Sequence, residues 1–467
     1  MTTGTIKANK QVTIWAASLS SFLGAFMGSS TNVALPSIGT EFNMGAISLS
    51  WIATAYLMTA AVFLVPFGKL ADMIGRKKIF LWGMILYTIS SALIGFSFSG
   101  TMLIFSRALQ GVSSAMIFAT GMAVIISVFP LGERGKALGI SVGAVYFGLS
   151  VGPLVGGLIT QSLGWRYLFW LNVPFGALIS ALIAFGLHGD WVENTGSKFD
   201  YFGSILLGMA LVLPIAGLSM LPSAKGITFV ACGLLGFIAF VIWERKSTEP
   251  LIELDMFTKN RVFSFSSLAA LINYSTTAGV SFLLSLYLQY IKGLSPRAAG
   301  LVMVSQPIVQ TIFAPIAGSL SDKIQPRTVA SIGMGMTLAG MILLTLLGPT
   351  SSLFFIIICC AFLGFGIALF SSPNTNAIMS SVDKKYLGVA SAVVGTMRLI
   401  GQMLSMGVVM LVFALIFGSV KITPEYYPYL VKSARIIFIV FAVFSFGGIF
   451  ASLARGHMQR DNNEISQ

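Results

Sequence analysis

The chain predicts an all-α membrane protein of fourteen transmembrane helices, and three observations predict it. Hydrophobic residues fill 56% of the 467 positions and charged ones only 9%, with a mean hydropathy of +0.90. A soluble domain carries about 25% charged residues, so a water-soluble enzyme is excluded, and so is a disordered chain. Apolar stretches of the roughly 20 residues that cross a bilayer follow one another along the whole length. The basic residues, finally, gather on alternate connecting segments, as expected when Lys and Arg are held on the cytoplasmic side.

The stretches can be taken in order. Lys7 and Lys10 precede the first, 12–34, which has no small-residue cleavage pattern before it and is expected to remain as a span. The stretch 47–68 is parted from 78–98 by Arg76, Lys77 and Lys78, and 102–128 from 137–161 by Arg134 and Lys136. A sixth lies at 166–187, and Lys198 precedes a central pair at 201–221 and 226–243. Arg245, Lys246, Lys259 and Arg261 lead into 262–290 and then 298–320. Lys323 and Arg327 come before 328–348 and 352–374, Lys384 and Lys385 before 387–417 and 433–454, and Arg455 and Arg460 close the chain. The other side holds only Arg166, Lys225, Lys292, Arg297, Lys421, Lys432 and Arg435, and its longest loop is about 418–432. Both termini are therefore expected in the cytoplasm, with the protein in the plasma membrane.

The net charge of +13 is a topology signal of this kind and not a nucleic-acid footprint. Three cysteines, two of them the adjacent Cys359 and Cys360, form neither a disulfide framework nor a metal site. No Gly-x-x-x-x-Gly-Lys-Ser/Thr or His-Glu-x-x-His string occurs. We expect no cofactor, no metal and no enzyme activity. The bilayer and a small-molecule substrate are the expected partners, with the protein acting as a monomer.

An internal repeat divides the chain. Gly68-Lys-Leu-Ala-Asp72-Met-Ile returns as Gly318-Ser-Leu-Ser-Asp322-Lys-Ile, 250 positions on, and Leu138-Gly139 returns as Leu387-Gly388, 249 positions on. Six spans of about 30 residues each, loops included, need only about 180, so the surplus accommodates the central pair. The expected organisation is a six-helix bundle over 1–200, two inserted helices over 201–243, and a second bundle with a tail over 244–467. Parallel repeats of this sort, with a site at the midplane between them, recur in secondary transporters.

Five motifs carry a resemblance. Gly68-Lys-Leu-Ala-Asp72-Met-Ile-Gly75-Arg76-Lys77-Lys78 joins two spans at the basic side. Arg107-Ala-Leu-Gln110-Gly111 lies in the fourth stretch, Gly148-Leu-Ser-Val-Gly152-Pro153-Leu-Val-Gly156-Gly157 in the fifth, and Trp165 to Pro174 opens the sixth. Asn32-Val-Ala-Leu-Pro36 closes the first. In this order they resemble the fourteen-span drug:proton antiporters of the major facilitator superfamily, over essentially the whole chain. The resemblance implies efflux of small organic solutes by alternating access, with protons as the coupling ion. It also implies that the loop of Gly68, Asp72, Gly75, Arg76 and its repeat at Asp322 helps latch the outward-facing state. Gly148, Gly152, Pro153 and Gly157 are gating candidates on the same basis, although close helix packing accounts for a small-residue stripe equally well.

A charge inside a span costs about 2.5–3.5 kcal/mol and normally faces a wet cavity or a partner, which singles out Arg107 and, a dozen residues into its span, Arg398. The remaining cavity candidates are uncharged: Met27, Asn32, Gln110, Tyr146, Asn273, Tyr274, Gln306, Gln310, Asn374 and Gln402. All fifteen acids fall in loops, tails or span ends, and Met27 stands where the cation exporters of the family have an Asp. A buried carboxylate is the simplest proton carrier and counter-charge for a cationic drug. Its absence favours an alternative, an exporter or exchanger of anionic or neutral metabolites without proton coupling. A membrane sensor or scaffold that does not transport is the reading from another class.

Overall fold

A computed structural model describes residues 9–192, 198–383, 387–418 and 420–456, without the side chains of Leu131, Asp322 and Leu387. Lys7, Lys384, Lys385 and Arg460 thus lie outside the described residues, as does the latch carboxylate expected at Asp322. Fourteen described helices are long and apolar enough to cross a membrane. The first six are α1 (Lys10–Glu41), α2 (Ala46–Ile74), α3 (Arg76–Gly95), α4 (Gly100–Val128), α5 (Gly132–Ser162) and α6 (Arg166–Gly186). The central pair is α7 (Tyr201–Ser219) and α8 (Ala224–Lys246). The last six are α9 (Arg261–Ile291), α10 (Pro296–Ser321), α11 (Pro326–Thr345), α12 (Leu353–Ser380), α13 (Gly388–Ile416) and α14 (Pro424–Ala454). Several outrun their apolar stretch, since hydropathy marks the part within hydrocarbon while helical hydrogen bonding continues into the polar interface.

Local chemistry sets the ends and the breaks. Asn9, Ser99, Asp200, Ser223, Asn260, Ser295 and Ser352 each accept a backbone N–H of the first turn of α1, α4, α7, α8, α9, α10 and α12, the usual role of an N-cap oxygen. In α10 the helix is interrupted at Val304, because Pro307 has no N–H to give to Met303. α9 breaks at Ser275 and Thr276, mid-span. There the Ser275 hydroxyl donates to the Leu271 carbonyl at 2.7 Å and Thr276 to that of Asn273 at 2.8 Å, competing with the backbone ladder.

Within the first six helices α1 packs on α5, α4 on α2 and α3, and α6 on α3; within the last six α12 packs on α10 and α11, and α14 on α11 and α9. The two sets meet along three seams, α2 with α13, α5 with α10, and α1 with α9. The central pair packs on itself and leans on both α13 and α2 through α7, covering one seam. Below, the basic face is the one carrying Lys10, Arg76 and Arg134, and the opposite face carries Glu41 and Arg166.

Candidate functional site

The three seams are tight toward the opposite face. Ser285 of α9 donates to the Asn32 carbonyl at 2.5 Å, Gln289 to Val33 at 2.9 Å and Tyr290 to Pro36 at 3.4 Å. Between α5 and α10 the backbones themselves touch: a Cβ at Gly157 would strike the Pro296 carbonyl, and one at Gly300 the Pro153 carbonyl. The Thr54 hydroxyl of α2 meets the Met410 sulfur of α13 at 3.4 Å, and Ala46 N–H donates to the Val420 carbonyl at 3.2 Å. This face is sealed.

Deeper, at mid-span, the sets meet through polar groups. The Tyr146 hydroxyl of α5 lies 3.2 Å from Ser371 of α12, and Ser150 lies 3.0 Å from Thr311 of α10. Tyr274, just before the α9 break, reaches the same serine and has Arg398 and Tyr146 as electrostatic neighbours. The Arg398 guanidinium of α13 stands 5.8 Å from the centre of the Phe118 ring of α4. Helices from both sets thus converge on two phenols, a serine and a cation, flanked by an aromatic ring. The described ion pairs include none to Arg398. Its charge is set off by a ring face, a weaker partner than a carboxylate. Such a cluster donates hydrogen bonds readily and offers no carboxylate or imidazole for a proton. Nothing in the string marked Ser371 or Phe118, because serines and phenylalanines are ordinary in packed spans.

Arg107 is placed differently. It is 3% exposed within the first six helices, where Nε donates to the Ile52 carbonyl at 3.2 Å and Nη1 to Gln110 Oε1. The guanidinium lies 4.4 Å from the Tyr56 ring centre, and Gln110 Nε2 donates onward to Ser91 at 2.9 Å. This is a nest of neutral acceptors joining α4, α2 and α3. Met27 is likewise buried in apolar packing, its sulfur 3.8 Å from Ser30. Asn374 donates to the Ser266 carbonyl at 3.1 Å, leaving its own oxygen without a partner. Asn273 is 1% exposed, and among the described residues neither its amide nitrogen nor its oxygen has a hydrogen-bond partner. Asn32, Gln306, Gln310 and Gln402 are half-buried.

The glycine stripe of α5 has two faces. A Cβ at Gly148 would come within 2.6 Å of the Phe22 carbonyl and one at Gly156 within 2.6 Å of Ser30 Cβ, so these, with Gly152, fit α5 to α1 inside one set. Gly157 and Pro153 instead meet α10 across the seam. On the basic face Arg76 donates from Nε to Asp72 at 2.9 Å and from Nη1 to Ser127 of α4 at 2.7 Å. Gly75 has φ of +117°, a backbone state that disfavours any side chain, and Gly68 has open space around it.

A family model described as Major Facilitator Superfamily matches residues 17–201 and 266–464, skipping the segment that contains α7 and α8. A riboflavin transporter of Clostridioides difficile is 32% identical over 380 residues, covering 81% of this chain and 82% of the relative. Multidrug resistance protein 3 of Bacillus subtilis is 31% identical, covering 80% of this chain and 72% of its own. A tetracenomycin C resistance and export protein of Streptomyces glaucescens is 29% identical over 83% of this chain and 73% of its own. Among solved structures, a bacterial homologue of the human lysosomal transporter Spinster, inward-facing and unoccupied, superposes with a TM-score of 0.66 over 96% of this chain and 97% of that one, at 17% identity.

Proposed function

This chain belongs to the major facilitator superfamily and is a secondary transporter of small solutes, and on that premise we propose a specific working arrangement. The basic face is cytoplasmic, in the plasma membrane, with both termini inside. The sets α1–α6 and α9–α14 rock about the mid-span cluster to export small organic molecules, and α7 and α8 are an insertion between them. The gap in the family match over the central pair supports that division. The hydrogen bonds joining α1 to α9, with the tight α5–α10 seam, support a conformer closed to the outside.

The solute class follows from the cluster. Arg398, Tyr146, Tyr274 and Ser371 converge with no carboxylate among them, and that one observation carries the reading. A site of donors beside an unpaired cation suits uncharged or anionic solutes rich in acceptor oxygens or nitrogens. It disfavours monovalent cations, which Arg398 repels. Riboflavin, named for one relative, is an uncharged heteroaromatic polyol and fits this class; the multidrug names of others fit export. With no carboxylate at the site to carry a proton, transport depends only weakly on a proton gradient, and the protein works as a monomer.

The test is transport in proteoliposomes of riboflavin, an anionic dye and a monovalent cationic dye, with a pH gradient imposed and then collapsed. Riboflavin or the anion should move, with less than about a twofold change on collapse. Strong gradient-driven movement of the cation alone would overturn the reading.

A further inference from the structure

The segments that tether the central pair both bear on the α2–α3 signature loop. In the first, after α6, the Trp191 carbonyl accepts the Arg76 backbone N–H at 3.1 Å. Beside it the Asp190 carboxylate occupies the space over Gly75 that a Cβ would fill, and lies 3.3 Å from Lys78 Nζ. In the second, after α8, the carbonyls of Glu249 and Pro250 accept from Lys69 Nζ, the latter at 3.1 Å. The two tethers are joined to each other, since Lys198 N–H donates to the Glu249 carboxylate at 2.6 Å. The second is fixed to α8 as well: Glu244, 3% exposed, accepts the Ile252 N–H at 3.1 Å. The loop is thus gripped before its turn, at Lys69, and after it, from Gly75 to Lys78.

We propose that the two tethers are a clamp that parks the signature loop, through Asp190 on Gly75 and Lys69 on the Glu249 and Pro250 carbonyls, and so stabilises the conformer closed to the outside. The inference rests on the rocking arrangement proposed above. While the seams near the opposite face are shut, the loop is held by the inserted pair. In the rocking arrangement, opening to the outside moves the basic-face ends of the two sets relative to each other, so the loop changes its neighbours there. Contacts that exist in only one of two conformers bias the equilibrium toward it by their own free energy. The exposed Asp190–Lys78 pair contributes little, so the bias lies in the carboxylate seated on Gly75 and in the hydrogen bonds to backbone carbonyls. The insertion therefore acts as a brake on the cycle, and Gly75 is glycine to give Asp190 its seat as well as to permit the turn.

The experiment reads the outer seal with one reporter thiol. Cys232, Cys359 and Cys360 are replaced by Ala and Ser285→Cys is introduced, in a residue buried in the sealed seam that donates to Asn32. Labelling by an impermeant maleimide from outside is timed in the parent and in Asp190→Ala, Lys69→Met and the double variant. The exposed Lys246→Met on the same insertion is the control, and Gly157→Leu is a wedge in the α5–α10 seam. Lys69→Met should speed labelling about three- to tenfold, Asp190→Ala by less, the double variant most, and Lys246→Met not at all. Unchanged or slower labelling in the clamp variants, while the wedge exposes the thiol, overturns the clamp alone. If the wedge also leaves position 285 unreactive, the rocking arrangement itself fails and the clamp falls with it.

Discussion

Arg107 and Arg398 are the same side chain in the same solvent, each inside a span and each without a carboxylate, yet the fold uses them in different ways. Arg107 is enclosed by one set of helices, and its donors are taken up by the Ile52 carbonyl and Gln110 with Tyr56 beneath. Arg398 stands between the sets, half-buried, with the Phe118 ring of the other set beside it and Tyr274 as an electrostatic neighbour. A guanidinium whose hydrogen bonds are filled by its own bundle is a fastening. One that stands between the two sets is, on the arrangement proposed above, the one a solute would meet. The insertion cost of a charge in a span is common to both, so that cost does not tell the roles apart; the neighbours do.

The sharpest way to break this comparison is at Arg398. Arg398→Met should leave thermal stability within about 0.5 kcal/mol, because it severs no ion pair. Uptake of an anionic solute into inside-out proteoliposomes should fall about ten- to a hundredfold, the worth of one charge-assisted hydrogen bond. A loss of stability in place of transport would make it a second fastening. Arg107→Met should do the reverse. Removing the donors leaves Gln110 and the Ile52 carbonyl short of partners and lowers stability by about 1–3 kcal/mol, read as a drop in Tm in detergent. Transport per folded molecule should stay within about twofold. Equal transport loss at unchanged Tm would erase the distinction.

Smaller effects sharpen it. Tyr146→Phe removes the hydrogen bond to Ser371 across the sets and should weaken binding of the same anionic solute about two- to tenfold, measured by tryptophan quenching. Ser371→Ala should cost at least as much, since Tyr274 reaches the same serine, and adding Tyr146→Phe to it should cost little more, since those two changes remove one shared contact. Smallest is Asn273→Leu. Its amide is buried with neither end paired, so an apolar replacement of similar size should raise stability by up to about 1 kcal/mol, seen as a higher Tm with transport retained. A lower Tm would show that the amide holds a polar partner in the membrane.

Much of the fold was legible because membranes impose a simple rule. Hydrocarbon excludes charge and unpaired backbone, so each span declares itself as an apolar run. The repeat from Gly68 to Gly318 and the two extra runs between predicted a six, two and six arrangement, and fourteen helices do follow in those positions. Arg107 and Arg398 were legible as anomalies for the same reason. Their difference was not. Ile52 and Tyr56 reach Arg107 from α2, Ser91 of α3 holds its partner Gln110, and Phe118 reaches Arg398 from the other set; no spacing along the chain encodes those meetings. Ser371 and Asp190 were equally silent, one an ordinary serine in a span and the other an ordinary acid in a connecting segment. The string of residues was enough to mark which segments are long and apolar enough to cross a membrane, because burial in hydrocarbon is decided residue by residue. Which polar groups stand between the two sets, and which are taken up inside one, came from packing alone, because a hydrogen bond is satisfied or left open by whatever helix lies against it.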